Sequence, residues 1–494
     1  MKLGAGPAFH LPDLAGVVDG ASITAPEAVR METVYYDTPD LRLARWGVSL
    51  RHRAGEGWTL KLPPIETSGP QPAGMLQRDE LTFEGGPRKP PEAAVALVRA
   101  YVRKAELVPV ARLSTLRRRV RLVDSNGIRL AEVVDDEVSV RDGRRVAARF
   151  REIEVEAAPA DDGAETIVVP LVTRLRGAGA GAPDPTPKHI RALGPKAMEP
   201  PEVSSQPVAA DASVKDVIRS VLAESVASLL RHDPLVRTSG DPEAVHQARV
   251  ATRKLRSHLR TFAPLLDQEW IDPLRSELGW LAMSLGAVRD SEVLLERLRE
   301  RARSLPPSDA RSAASLLRIL ELEIESMRKK LMADLGSLRY VDLLERLVAA
   351  AHAPAVVPEG DQPAAAALPA LATTPWRRLR SAVRQLADEP TDADLHRIRI
   401  LAKRARYAAE AVEPVASGAA GFGRAAAKVQ TVLGEHQDSV TAQAWLRGAK
   451  VTGRRAFVAG ELIALEHIAA QDARARWPKV WKALDRKQLR QWMP

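Results

Sequence analysis

The chain has 494 residues, 45% of them hydrophobic and 28% charged, which is typical of a folded protein with roughly two to four domains. The net charge of +10 predicts a polyanionic partner, and the aromatic content of only 4% disfavours stacking platforms for single-stranded nucleic acid. The absence of cysteine excludes disulfides, thiolate metal sites and cysteine nucleophiles. Because we find no signal peptide and no apolar run of membrane-spanning length, we expect a cytoplasmic protein.

The sequence pattern of residues 1–195 predicts an α+β domain. Short segments in which charged and apolar residues alternate predict strands at 48–53, 58–62, 116–123, 128–136 and 150–156, with one helix at 91–105. Side chains two residues apart on a strand share a face, so the alternating bases of each strand point together. These bases are Arg51 and Arg53, Lys61, and Arg117, Arg119 and Arg121.

Acidic residues alternate in the same way on the later strands. Glu132 and Asp136 share one face of their strand, and Glu152, Glu154 and Glu156 share one face of the next. The plain interpretation is a sheet with one solvated face. If the sheet closes into an antiparallel β-barrel, the charged faces line a hydrophilic tunnel. Bases there can hold phosphates, while the carboxylates hold Mg²⁺ or Mn²⁺.

Several short motifs in this half resemble the CYTH family of triphosphate-tunnel proteins. They are YYDT (35–38), LRHR (50–53), TLK (59–61), RRR (117–119), the two acidic strands, and the lysine of TPKHIRAL. The resemblance implies a closed barrel in which Glu132, Asp136, Glu152 and Glu154 hold a divalent metal. It also implies triphosphate-binding roles for Lys2, Arg51, Arg53, Lys61, Arg117, Arg119 and Lys188.

The first strand departs from the pattern of that family, which opens with Glu-x-Glu-x-Lys. The sequence begins MKLGAGPAFHLPDL, so Lys2 matches the lysine and the two glutamates would precede Met1. Those glutamates help to hold the catalytic metal in the family. We therefore expect this chain to bind a triphosphate better than it hydrolyses one.

The sequence character changes after the first domain. Residues 196–212 form a proline-rich linker, and residues 213–494 have helical periodicity almost throughout. A second loose stretch, 353–375, carries five prolines and divides this half into repeats at 213–352 and 376–494. The sequence therefore predicts an all-α second domain built from two similar parts.

One basic helix occurs in both repeats. At about 100° per residue, His246, Arg249, Arg253, Arg256 and Arg260 fall within an arc of about 80°. The apolar residues of the same helix, among them Leu255 and Leu259, lie opposite. His396, Arg399, Lys403 and Arg406 repeat the arrangement, with Glu410 at the position of Arg260. A single stripe of this kind is usually only a solvated face, whereas a repeated row of arginines suits a phosphate polymer.

A second motif follows each basic helix. LGAVRDSEV (285–293) and LGEHQDSV (433–440) recur in the same order and at nearly the same separation, which indicates a duplication. Asp290 and Asp438 are expected to orient neighbouring arginines or to act as caps, and the glycines to allow close approach of helices.

Together the two motifs resemble the CHAD family. The resemblance implies two pseudo-symmetric four-helix bundles whose basic helices line a groove that binds inorganic polyphosphate. The binding residues that it implies are His246, Arg249, Arg253, Lys254, Arg256, His396, Arg399, Lys403, Arg404 and Arg406. We add Arg260, which belongs to the same basic stripe.

The order CYTH then CHAD is a familiar bacterial arrangement. We therefore expect a polyphosphate-binding protein of polyphosphate granules, whose tunnel domain acts on triphosphate or polyphosphate ends with Mg²⁺ or Mn²⁺. The alternatives are a non-enzymatic binder of RNA or DNA and a hydrolase of an organic triphosphate. The low aromatic content and the absence of a recognition-helix pattern disfavour sequence-specific binding of nucleic acid. The oligomeric state is left open.

Overall fold

Residues 1–63, 80–158, 164–238 and 241–494 are described by the computed structural model. The chain divides into two units, Met1–Glu202 and Val203–Pro494. No helix in the described part of the chain is long and apolar enough to cross a membrane.

The first unit is built on an antiparallel sheet. Its strands are β1 (Lys2–Ala5), β2 (Ser22–Ile23), β3 (Glu27–Asp37), β4 (Ser49–Arg53), β5 (Gly57–Lys61), β6 (Glu80–Phe83), β7 (Val108–Val123), β8 (Arg129–Asp142), β9 (Arg145–Ala157) and β10 (Ala180–Pro183). Their order is β10-β1-β9-β8-β7-β3-β4-β5-β6, with β2 paired to β7. Among the described residues no pairing joins β6 to β10, so the predicted antiparallel sheet is present but hydrogen bonds do not close it.

The described residues of this unit also form the helices α1 (Arg42–Arg45), α2 (Glu92–Leu97), α3 (Arg99–Val102), α4 (Ala164–Gly177) and α5 (Lys188–Leu193). The single helix predicted for 91–105 is wrong, because the backbone leaves the helical region at Val98 and α3 ends at Arg103 with φ of +54°. Apolar residues of β1, β8 and β9 pack with α4, where Leu171 and Leu175 are fully buried. This packing covers one face of the sheet and leaves the other for polar residues.

The second unit is all-helical, as predicted. Its helices are α6 (Val214–Thr238), α7 (Pro242–Thr261), α8 (Gln268–Ala302), α9 (Ala310–Gly336), α10 (Leu338–His352), α11 (Ala364–Ala367), α12 (Ala370–Arg384), α13 (Asp392–Val412), α14 (Ala419–Gly448) and α15 (Arg454–Leu484). The stretch predicted as loose at 353–375 contains α11 and the start of α12. Pro363 and Pro369 precede these two helices, and proline is tolerated at a helix start.

The basic helices are α7 and α13, and their apolar faces are buried as predicted. Leu255 and Leu259 of α7 and Ala405 and Ala409 of α13 are all 0% exposed. Asp241 caps α7 by accepting a hydrogen bond from the backbone N–H of Glu243 at 2.9 Å. Helix α7 packs against α6, α8 and α13, and α13 packs against α12 and α14. The two basic helices therefore lie against each other.

Candidate phosphate-binding surfaces

The register of the sheet places the alternating bases and acids of the first unit on one face. Arg117 lies opposite Asp136, Asp136 lies opposite Glu152, and Lys2 lies opposite Glu154. Residues directly opposite each other in an antiparallel pair project to the same side of the sheet. We call this side the charged face; by the same register it continues through Arg53, Arg51 and Lys61 to Glu80 of β6.

Three of the four predicted metal ligands meet on the charged face. Oxygens of Asp136, Glu152 and Glu154 all lie within 4.8 Å of one another. We call these three residues the acid cluster. The ammonium of Lys188, the first residue of α5, lies among them, 2.9 Å from Asp136 Oδ2, 2.6 Å from Glu152 Oε1 and 2.8 Å from Glu154 Oε1. The structure therefore brings a residue predicted to bind phosphate into contact with the predicted metal ligands.

Two further bases complete this network. Lys2 Nζ lies 2.6 Å from Glu152 Oε2. Arg117 donates from Nε to Asp136 Oδ1 at 2.9 Å and from Nη2 to Asp136 Oδ2 at 2.7 Å. Three carboxylates are therefore matched by three cations, in a site where the side chains of Asp136 and Glu152 are fully buried.

The electrostatics of the cluster follow from this pairing. Burial alone would raise the pKa of Glu154, but Lys188, Arg117 and Lys2 lower it to about 2. Burial alone would lower the pKa of Lys188, but the three carboxylates raise it above its usual value. Burial lowers the pKa of Lys2 despite the attraction of Glu152. The pairing therefore favours the ionised forms of both Glu154 and Lys188.

The other predicted residues of this unit lie outside the acid cluster. Glu132 Oε1 is 3.3 Å from Arg119 Nε, and its other oxygen is 3.8 Å from Arg121. Lys61 and Arg51 both pair with Glu80, at 2.8 and 3.3 Å, and Arg53 pairs with Glu56 at 2.7 Å. Sequence reasoning missed Glu80 and Glu56 as partners of these bases. The signal that identifies Glu80 is its register opposite Lys61, which the sequence alone does not supply.

In the helical unit the bases of α7 and α13 converge. The guanidinium carbon of Arg253 lies 5.6 Å from the centre of the Tyr407 ring on α13. Burial lowers the pKa of Lys403 to about 8, assisted by the positive charges of Arg253, Arg399, Arg249 and Arg256. Arg260 has a lowered pKa through burial and the nearby Arg404, Arg275 and Arg256. We call the following set the basic cluster: His246, Arg249, Arg253, Arg256, Arg260, Arg399, Lys403 and Arg404.

The glycine and aspartate of the repeated motif lie beside arginines of the basic cluster. Arg249 donates to both carboxylate oxygens of Asp290, from Nη2 to Oδ2 at 3.1 Å, and its guanidinium lies against Gly286. Arg399 lies in the same way against Gly434. Burial raises the pKa of Asp438 although Arg399 and Arg297 oppose the shift. In the first repeat the aspartate therefore orients an arginine, as the sequence suggested.

Other residues implied by the CHAD resemblance have different surroundings. Lys254 Nζ lies 3.7 Å from Glu224, and Arg406 donates to Glu410 at 2.6 Å. His396 and Arg404 line a pocket of 530 Å³ between α12 and α13, together with Arg378 and Arg397.

Most of the basic cluster has no counter-ion from the protein. Over residues 1–63, 80–158, 164–238 and 241–494, no acidic group forms an ion pair with Arg253, Arg256, Arg260, Arg399, Lys403 or Arg404. This concentration of positive charge can accept an anion without breaking an internal pair.

Comparisons with known proteins identify two domain families in the chain. The CYTH domain family matches residues 8–176 and the CHAD domain family matches residues 220–447. Uncharacterized protein Rv2226 of Mycobacterium tuberculosis strain H37Rv is 32% identical, over 96% of this chain and 94% of its own length. Uncharacterized protein MT2285 of strain CDC 1551 gives the same values. The chain therefore belongs to the family of proteins in which a CYTH domain is followed by a CHAD domain, as its motifs indicated.

Two solved structures resemble part of the chain. PptA from Streptomyces chartreusis is 26% identical, with a TM-score of 0.46 over 55% of this chain and 100% of its own. The CHAD domain from the plant Ricinus communis is 26% identical, with a TM-score of 0.43 over 58% of this chain and 96% of its own.

Proposed function

We propose that this protein binds inorganic polyphosphate through the basic cluster. The observation that carries the proposal is the convergence of unpaired cations from α7 and α13, including Lys403 among four arginines. Like charges packed this closely repel one another, and a bound polyanion replaces that repulsion with attraction. A row of guanidinium groups also matches the oxygens of successive phosphates.

The surroundings of the cluster favour a phosphate chain over a nucleic acid. The aromatic ring that contacts Arg253 belongs to Tyr407, which is 2% exposed and cannot stack on a base. Binding that depends on phosphates alone should favour the polymer with the higher charge per length. We therefore expect selectivity for polyphosphate over DNA of equal phosphate count.

For the first unit we propose a triphosphate site on the charged face, which binds triphosphate or polyphosphate ends better than it hydrolyses them with a divalent metal. The acid cluster fits a hard divalent cation such as Mg²⁺ or Mn²⁺, because all of its donors are carboxylate oxygens that lie close together. Asp136, Glu152 and Glu154 would hold the ion, which would stabilise negative charge developing on the transferred phosphoryl group. Arg51, Arg53, Lys61, Arg117 and Arg119 would hold and orient the phosphates.

We also propose the architecture of each unit and the place where the protein acts. In this proposal the sheet curls into the closed tunnel of the CYTH family, and the helical unit forms two pseudo-symmetric bundles. The protein acts in the cytoplasm on polyphosphate granules.

A charge-reversal experiment on the full chain tests polyphosphate binding. The variant Arg256→Glu, Arg260→Glu, Arg404→Glu should bind long-chain polyphosphate at least about 100-fold more weakly than the wild type at equal salt. The matched control is Arg311→Glu, Arg455→Glu, Arg486→Glu, which makes the same change in net charge at exposed residues elsewhere in the helical unit. Titration of labelled polyphosphate measures both affinities. Equal losses in the two variants would show that net charge, not the cluster, determines binding.

Competition at matched salt tests selectivity. Polyphosphate should displace labelled DNA of equal phosphate count far better than the reverse. Equal affinities would contradict the proposed ligand class and favour a general polyanion binder.

A further inference from the structure

The Lys188 ammonium lies where a metal ion held by the acid cluster would have to lie. It forms ion pairs with all three carboxylates at 2.6 to 2.9 Å, and it donates a hydrogen bond to Glu154 Oε1. Asp136 and Glu152 are fully buried, and the Lys188 side chain is only 13% exposed. The ammonium is therefore the bound cation of this site.

The charge balance opposes the simultaneous presence of a divalent ion. The three carboxylates are already matched by Lys188, Lys2 and Arg117. A divalent ion added to a neutral, mostly buried site would meet three cations at short range, which is strongly unfavourable at low dielectric. Removing Lys188 from the carboxylates is the smallest change that makes room. Lysine is suited to this movement because its charge sits at the end of a flexible four-carbon stem.

We propose that Lys188 is a built-in counter-ion that excludes divalent cations from the acid cluster until a phosphate group draws its ammonium away. This inference rests on the proposed triphosphate site. A bound triphosphate offers new acceptors to Lys188 and adds negative charge, so that the vacated carboxylates can take the divalent ion. Because linkage is reciprocal, metal and triphosphate then strengthen each other's binding. The acid cluster alone binds metal weakly, which prevents it from holding an ion without a substrate.

Manganese binding in phosphate-free buffer tests the exclusion directly. We expect full-length Lys188→Met to bind Mn²⁺ at least about tenfold more tightly than the wild type, measured from the EPR signal of free Mn²⁺. The matched control is Lys89→Met, which removes an exposed lysine of the sheet unit. Its Mn²⁺ affinity should equal that of the wild type. Equal or weaker Mn²⁺ binding by Lys188→Met would overturn the proposal.

Thermal unfolding keeps the proposal testable if Lys188→Met is unstable, because loss of the ammonium leaves buried carboxylates in excess. Mn²⁺ should raise the melting temperature of Lys188→Met and leave that of the wild type unchanged, since a ligand stabilises the state that binds it. A variant that stays unfolded with Mn²⁺, or is equally stable with and without it, would contradict the exchange of one cation for the other.

Tripolyphosphate binding in the presence of a metal chelator tests the second step. Lys188→Met should bind tripolyphosphate at least about tenfold more weakly than the wild type, because the ammonium no longer moves to the phosphate. Unchanged affinity would show that Lys188 stays on the carboxylates. A wild-type chain that binds no tripolyphosphate at all would instead contradict the proposed site, while the Mn²⁺ result would still stand on its own.

Discussion

The charged face of the sheet and the basic cluster of the helices both carry many cations, but their cations have opposite surroundings. On the sheet, Lys188 and Arg117 contact carboxylates at 2.6 to 2.9 Å. In the helical unit, Lys403 has four arginines as its charged neighbours, and its pKa is lowered to about 8. The first surface is electrically balanced and must exchange partners to bind an anion. The second concentrates cations that mostly lack acidic partners among the described residues, and such a field attracts anions from a distance.

This difference predicts that the same kind of substitution has opposite effects on stability in the two places. Replacing a paired, buried cation by methionine leaves a carboxylate without a partner and destabilises the fold. Replacing a cation that is surrounded by other cations removes repulsion and stabilises the fold. The following predictions test and refine this contrast.

The largest effect is expected for Arg117→Met. Its two hydrogen bonds to Asp136, a fully buried residue, are lost, and among the described residues the carboxylate then pairs with Lys188 alone. We expect the free energy of unfolding of the sheet unit to fall by about 3 kcal/mol. Urea unfolding measures the change, and hydrogen exchange in β8 and β9 assigns the transition to this unit.

The control for that prediction is Arg112→Met on the same strand. Arg112 is exposed and lies opposite Arg141, so we expect its replacement to change stability by less than about 0.5 kcal/mol. If both variants lose the same stability, the ion pair of Arg117 with Asp136 contributes nothing specific.

An opposite and smaller effect is expected for Lys403→Met. It should raise the free energy of unfolding of the helical unit by an amount on the order of 1 kcal/mol, less than the pKa shift implies because the side chain is partly exposed. It should also weaken polyphosphate binding. If Lys403→Met is more stable than the wild type but binds polyphosphate more weakly, the repulsion around Lys403 lowers stability and serves binding.

The pH dependence of stability provides the second part of this test. The folded pKa of Lys403 is about 8 and the ordinary pKa of lysine is 10.5, so the unfolded chain binds more protons between these two pH values. The wild type should therefore gain stability relative to Lys403→Met as the pH rises through this range. Lys482→Met, at an exposed position of α15, is the control. No difference between the two variants across the range would contradict repulsion at Lys403.

Periodicity predicted the parts of the molecule that depend on a single element. A helical period placed the bases of α7 opposite Leu255 and Leu259, and both leucines are fully buried. It did not predict the helix break at Val98, where φ is −101° and ψ is 8°. It also missed the helices within the proline-rich stretch, since Pro363 and Pro369 stand before helix starts.

The contacts within each site were less predictable than its residue types. The alternation of charges predicted which residues share a face of each strand. The meeting of Asp136 with Glu152 depends on strand register, and the approach of Lys188 depends on a segment more than thirty residues away in the chain. The partners of Arg51 and Lys61 likewise depend on β6 lying beside β5. Strand register and contacts between distant segments belong to the tertiary structure, and a local sequence pattern does not determine them.

The smallest predicted effect concerns the pH dependence of polyphosphate binding through His246. Burial lowers the pKa of His246, and the charge of Arg289 lowers it further. Glu243 opposes this shift, and Arg253 and Arg249 add smaller lowering effects. The free protein therefore holds this imidazole neutral near pH 7. A bound polyphosphate reverses the sign of the surrounding charge and favours the protonated form.

Because the bound state takes up a proton at His246, affinity must rise as the pH falls through the pKa values of the free and bound forms. We expect polyphosphate affinity to increase about threefold to tenfold between about pH 7.5 and about pH 5.5, a range in which the arginines keep their charge. His246→Gln should lose most of this increase, whereas His467→Gln, at an exposed position of α15, should retain it. Titrations of labelled polyphosphate at constant salt measure all three proteins. An identical increase in His246→Gln would show that the proton is taken up elsewhere and that His246 does not face the polymer.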